Sequence, residues 1–222
     1  MPEQQSPPDA ANYVRRILAA AESYRIVDAD ELCIASREQL PVARLVSEVF
    51  GPVLREAGDR WERGEFSVVQ EHMLTSAVRR QLHSALDEHN RRAAGPVVAF
   101  TTLSGERHEL GSLMLAVLAS SFGARAIYLG PDLPVAEVGR LCGHAEIAAV
   151  AVSVVTSAEV IDAREQLREM RKLLPAGMPL WVGGQGIAAV PAEDLPPDTQ
   201  FVGDLAQFQQ RLSQLSGGNE AI

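Results

Sequence analysis

Apolar residues return at two different periods along the chain, and the change divides it. From Asp9 to about Arg92 the spacing is helical. Asp9 stands at the cap position of a first helix with Val14, Ile17, Leu18 and Ala21 on one face. Asp28-Ala29-Asp30-Glu31 reads as a capping box that opens a short second helix. Pro41 suits the first turn of a third, whose stripe is Val42, Leu45, Val46, Val49 and Phe50. Gly51-Pro52 predicts a kink rather than an end, because Val53, Leu54, Ala57 and Trp61 continue the stripe as far as Gly64. Ser67-Val68-Val69-Gln70 is a second capping box, starting a long fourth helix toward Arg92. Four helices with short connections predict an antiparallel four-helix bundle over residues 9–94.

Beyond Gly95-Pro96, short β-rich runs alternate with helical segments over residues 95–216. Strands are predicted at Val97–Thr102, Ala126–Leu129, Ala148–Ser153, Leu180–Val182 and Gln200–Val202. Helices are predicted to begin near His108, Pro134, Ala158 and Pro191 or Ala192, with a last one over Leu205–Leu215. Such alternation implies a parallel sheet covered on both faces, and five strands suit the flavodoxin-like, Rossmann-like order 2-1-3-4-5. The fold class is therefore α plus α/β. Residues 1–8, with three prolines, read as a disordered lead-in, and residues 216–222 as a frayed tail or the start of a linker.

Composition narrows the function classes. The 222 residues are 46% hydrophobic and 22% charged, an ordinary globular composition. Twenty Lys and Arg against 29 Asp and Glu give a net charge of −9, which argues against direct DNA binding through phosphate contacts. Cys33 and Cys142 form no CxxC pair, which fits a reducing cytoplasm and no cysteine zinc site. Met1-Pro2-Glu3-Gln4-Gln5 carries neither the basic nor the apolar stretch of a secretory signal. No run approaches the roughly 20 apolar residues of a membrane span.

In a sheet of this order, ligands bind beyond the carboxyl ends of the strands, where strand order reverses. The loop after the first strand, Leu103 to Gly111, lacks GxGxxG and GxxxxGK[ST] and is no phosphate cradle. It offers an imidazole, His108. The third strand ends on Ser153, with Thr156 and Ser157 close behind, and the fourth is followed by Gly183-Gly184-Gln185-Gly186, which would admit a bulky ligand to the backbone. A lone histidine near a helix start is ordinarily a surface or capping residue. Here a histidine, a hydroxyl and a glycine pair converge on one crevice. Without Cys or second-His spacing His108 is a poor zinc site, yet it suits a single axial ligand of a macrocycle metal. Glu106 is placed to hydrogen-bond the other ring nitrogen and raise its basicity.

Glu106-x-His108-x-x-Gly111, then Ser153, then Gly183-Gly184, resembles the cobalamin-binding signature of the methionine-synthase-type corrinoid domains. The interval of 45 residues from 108 to 153 fits that signature, as does a helical bundle preceding the α/β part, so the resemblance spans about Asp9 to Gln214. That family's first motif usually begins with Asp, so Glu106 is a departure. The resemblance implies that the cofactor's nucleotide tail enters the α/β crevice and that His108 becomes the lower axial ligand of cobalt. Trp61, nine intervening residues, then Glu71-His72 is similar to a narrower group, the CarH-type light-responsive regulators. Gly105 to Glu109, Tyr128-Leu129-Gly130-Pro131-Asp132 and Gly183 to Gly186 are also similar to that group. In it the bundle covers the upper face of 5′-deoxyadenosylcobalamin. Carried over by position, Trp61 is the cap on the adenosyl group, Glu71 the ribose acceptor and His72 a neighbouring polar contact.

Two departures from the narrower group are visible. Its members carry a histidine directly after the tryptophan, which ligates cobalt after illumination; here that position is Glu62. They also carry a MerR-like DNA-binding domain, for which this sequence has no room. The resemblance thus implies a non-enzymatic, adenosylcobalamin-binding light sensor acting through self-association or a fused or partner effector domain. The alternative is a corrinoid methyl carrier serving a methyltransferase. A nucleotide-binding or response-regulator module is a weaker third reading, since the first loop carries neither an acidic cluster nor a phosphate loop.

Overall fold

The structure, a computed structural model, describes residues 9–157, 161–188 and 190–217. The expectations for residues 1–8, for the helix start at Ala158 and for the tail after residue 217 lie outside them. The chain divides into two compact units that part between Ala85 and Leu86, within the longest helix.

The first unit is helical: α1 (Ala10–Glu22), α2 (Ile26–Gln39), α3 (Val42–Arg44), α4 (Gly51–Glu62) and α5 (Val68–Asn90). Two of the expected caps differ. Asp9 occupies the cap position of α1 but makes no side-chain cap bond, and its carboxylate lies 3.8 Å from Arg15. Asp28 does not open α2. That helix starts at Ile26, and Asp28 in its first turn pairs with Arg25 at 2.8 Å. The expected kink is a π-helical turn, Leu45–Phe50, which joins α3 to α4 without a break. Pro52 has no N–H to offer, and the Gly51 N–H reaches back five residues to the Val46 carbonyl, the i→i−5 pattern of a π-turn.

The Ser67 capping box forms as expected. Ser67 N–H donates to Gln70 Oε1 at 2.8 Å, and Gln70 N–H donates to Ser67 Oγ at 3.3 Å. Gln70 Nε2 also donates to the Ala21 and Glu22 carbonyls at 3.2 and 3.1 Å, so one buried side chain opens α5 and closes α1. Gly64, at φ +72°, follows the end of α4 as expected of a left-handed helix stop. Ile17, Leu45, Val49, Phe50, Val53, Leu74, Val78 and Leu82 are fully buried and make the core.

The second unit runs β1 (Val97–Thr102), α6 (Leu110–Ser121), β2 (Arg125–Tyr128), α7 (Val135–His144), β3 (Ala149–Ser153), α8 (Ala163–Leu173), β4 (Leu180–Gly183), α9 (Gln185–Ala188), β5 (Thr199–Phe201) and α10 (Leu205–Gly217). All four strand pairings are parallel and the order is β2-β1-β3-β4-β5, as the sequence predicts. One face of the sheet, with Ala99, Val150, Val152, Leu180 and Val182, packs on Val138, Leu167 and Met170 of α7 and α8. Phe100, Ala151 and Trp181 lie on the other face, in lateral register across β1, β3 and β4.

Three local expectations change. The helix after β1 starts at Leu110, leaving His108 in the loop. The segment near Pro191 forms only a 3-10 turn, Ala192–Asp194, and α9 appears directly after the glycine pair.

Candidate functional site

Thr102, Ser153 and Gly183 end β1, β3 and β4 in one row of the register, at the carboxyl edge of the sheet. The loop leaving β1 there is clamped from two directions. Gly105 takes φ +83°, and its N–H donates to Asp132 Oδ1 at 2.7 Å. Asp132 N–H donates to Thr102 Oγ1 at 2.9 Å, while that hydroxyl donates to the Glu106 carbonyl at 2.6 Å. From α8, Gln166 accepts from Ser104 N–H at 2.9 Å and donates to the Ser104 carbonyl at 3.0 Å.

This clamp turns the Glu106 side chain inward, where it is fully buried. Its Oε2 accepts the N–H groups of Val155 and Thr156 at 2.7 and 2.6 Å. Its Oε1 accepts His108 N–H at 2.9 Å, His108 Nδ1 at 2.6 Å and Thr156 Oγ1 at 3.1 Å. Burial pushes the Glu106 pKa up, but the backbone N–H groups of His108, Thr156 and Val155 outweigh it, and the carboxyl sits below its ordinary 4.5. An ionised carboxylate on Nδ1 keeps the proton there, which leaves the Nε2 lone pair for a ligand. The His108 side chain is 65% exposed, so that nitrogen is accessible.

Gly111, in the first turn of α6, has a steric reason. A Cβ there would stand 3.1 Å from Ser153 Oγ. Gly183, Gly184 and Gly186 also have one, and it is internal to the protein. Cβ atoms at these positions would meet the Val202, Val154 and Thr156 carbonyl oxygens at 2.6, 2.3 and 2.1 Å. Gly184 and Gly186 let the turn after β4 lie against the loop after β3, the loop that supplies two N–H groups to Glu106, while Gly183 admits the backbone after β5. The structure therefore assembles Glu106, His108, Gly111, Ser153, Thr156, Gly183 and Gly184 at one edge of the second unit.

Trp61, Glu71 and His72 belong to the helical unit. Trp61, 50% exposed, is the penultimate residue of α4, and Glu62 follows it. Glu71 lies in the first turn of α5, and its Oε2 holds His72 Nδ1 at 2.5 Å. Among the described residues, no group of three or more His, Cys, Asp or Glu gathers to hold a metal ion. One exposed imidazole oriented by a buried carboxylate is instead suited to a metal already held by a macrocycle, and the residues present fit cobalamin.

Residues 13–85 match the family model described as "B12 binding domain". The HTH-type transcriptional repressor CarH of Myxococcus xanthus is 33% identical over 186 residues, covering 82% of this chain and 60% of that protein. Residues 13–85 belong to the B12-binding-domain family. A second relative of the B12-binding domain is the HTH-type transcriptional repressor CarA of the same organism, 30% identical over 135 residues, which are 61% of this chain and 45% of CarA. The B12-binding chain thus spans about half the length of these curated relatives. The fold is shared with the monomethylamine corrinoid protein of Methanosarcina barkeri, at a TM-score of 0.72 and 14% identity over 93% of this chain and 99% of that one. No helix among the described residues is long and apolar enough to cross a membrane.

Sequence reasoning placed Glu106 on the His108 ring and marked Thr156 as near. It assigned no role to Thr102, Asp132 or Gln166, which clamp the loop. The Gly130-Pro131-Asp132 turn carried a signal, with Gly130 at φ +83° and Asp132 at φ +57°. Gln166, on an otherwise amphipathic helix, carried none.

Proposed function

We propose that this chain is an adenosylcobalamin-binding light-sensing regulatory module. The observation that carries the reading is Trp61 at the end of α4 followed by the Glu71-His72 couple in the first turn of α5, in a chain 33% identical to CarH. When bound, adenosylcobalamin supplies a Co–C bond that visible light cleaves. His108 would hold the cobalt through Nε2, with Glu106 keeping the proton on Nδ1. Ser153 and the close-packed backbone at Gly111, Gly183 and Gly184 would flank the nucleotide tail. Trp61 would give the adenosyl group an aromatic face, and the Glu71 carboxylate would accept from its ribose hydroxyls. Loss of the adenosyl group would remove the partner of Trp61 and Glu71 and shift the conformational population of the helical unit.

The output would be a change in self-association or in contact with an effector domain. Glu62 stands where the narrower group has its second cobalt ligand, so that ligand would be His72 or water. The fold shared with a corrinoid protein supports the second reading, a methyl carrier. Illumination of the reconstituted protein with green light separates the two. A light sensor changes its absorption spectrum and its sedimentation profile. Unchanged profiles, with transfer of a methyl group to an acceptor in the presence of a methyltransferase, would establish the carrier instead.

A further inference from the structure

Successive side chains of a strand point to opposite faces, so Ser153 shares a face with Ala151, and Gly183 with Trp181. Register sets Ser153 beside Gly183 and Ala151 between Phe100 and Trp181. Gly111 of α6 stands over Ser153, where a Cβ would come within 3.1 Å of the hydroxyl. A track of small residues therefore runs inward from the carboxyl edge and ends on an aromatic wall. That wall is closed by Phe208 of α10. Its ring is 1% exposed and packs edge-on against Phe100 and Trp181, at centroid distances of 6.3 and 5.9 Å. The space left there is a cavity of about 10 Å³, lined by Leu115, Ala151, Trp181, Gly183, Val202 and Phe208. That is room for about one water, whereas a cavity of roughly 150 Å³ is what admits a benzene ring.

The two helices on this face hold it unequally. α6 buries Leu113, Ala116, Val117, Leu118 and Ala119 among others. The described side chains that α10 buries are Phe208 and Leu212, one turn apart on the same stripe. The strand before α10, β5, has three residues and lies at the sheet edge. Elements with few buried anchors open at the lowest free-energy cost.

We propose that Phe208 is the gate of the crevice that takes the nucleotide tail of cobalamin, and that α10 hinges off the sheet to admit it. The proposal rests on the cobalamin reading of the site. The exchange is aromatic for aromatic: the tail's base replaces the Phe208 ring against Phe100 and Trp181, so the wall of the crevice stays dry. Ligand-free protein holds the gate closed, and apparent affinity is lowered by the fraction of time it is shut.

The test compares cobalamin with cobinamide, the corrinoid that lacks the nucleotide tail, by stopped-flow absorbance. Phe208→Leu is expected to bind cobalamin about tenfold faster and Phe208→Trp about tenfold slower, as a shifted open fraction requires. Cobinamide rates stay unchanged in both variants. In the ligand-free wild type, amide exchange in α10 runs faster than in α6. Wild-type cobalamin rates in both variants, or α10 amides as protected as those of α6, overturn the gate while leaving cobalamin binding intact. Failure of the wild type to bind cobalamin at all overturns the gate and the reading beneath it together.

Discussion

Glu106→Gln changes one acceptor oxygen to NH2 at a position where all five hydrogen-bond partners donate. The best placement keeps the amide oxygen on the Val155 and Thr156 N–H groups, so the NH2 faces His108. There it meets the backbone N–H, which loses its acceptor, and Nδ1, which can accept only if the imidazole moves its proton to Nε2. That tautomer has no lone pair for cobalt. The structural cost is one buried N–H left unpaired, about 1–3 kcal/mol, and two charge-assisted bonds made neutral, about 1 kcal/mol each. A total of about 3–5 kcal/mol is expected in urea unfolding followed by circular dichroism. Cobalamin affinity, read by absorbance titration, should fall roughly 10- to 100-fold, the usual effect of removing the group that orients a metal-ligating histidine. Wild-type affinity with an unchanged bound-state spectrum in Glu106→Gln would refute the account of how Glu106 works.

Other consequences are equally concrete. The Glu106 pKa is depressed in the folded state, so the stability it contributes is complete above pH 4.5 and is lost as the pH falls through the lower folded value. Unfolding free energies of wild type and Glu106→Gln should therefore converge below pH 4.5, and parallel acid profiles would contradict this. Gly184→Ala places a Cβ 2.3 Å from the Val154 carbonyl at φ +104°, and should cost about 3 kcal/mol or more in the same unfolding assay. A near-neutral result would mean the turn after β4 is not packed as described. Trp61→Ala should erode the preference for adenosylcobalamin over methylcobalamin without abolishing either, because the lower-face site does not use it. Retention of the full preference in a competition titration would remove Trp61 as the adenosyl cap.

Much of this was legible because local and global signals agree. The alternation of strand and helix after Gly95, with each strand short and apolar, leaves few solutions other than the observed order. The Ser67 box formed because its two partners are three residues apart and need nothing else. The Asp28 box failed because Arg25 offered Asp28 an ion pair, leaving α2 to start a turn earlier. His108 was expected at a helix start and sits in a loop because the Glu106 carboxylate captures its N–H, a competition that depends on Val155 and Thr156, about fifty positions away. The glycines after β4 showed as a motif, but their reason is a packing partner across the sheet edge that one-dimensional pattern does not carry. The clamp of Thr102, Asp132 and Gln166 was hidden for the same reason.

The central proposal is that His108 would be the protein's ligand to the cobalt of bound cobalamin. The most direct measurement is electron paramagnetic resonance of the Co(II) form of cobalamin bound to protein uniformly labelled with 15N-histidine. A histidine ligand splits each cobalt line into a doublet, since 15N has spin one-half, and the doublet disappears in His108→Ala. A triplet that labelling leaves unchanged would mean that the cofactor keeps its own base and that His108 is not the ligand.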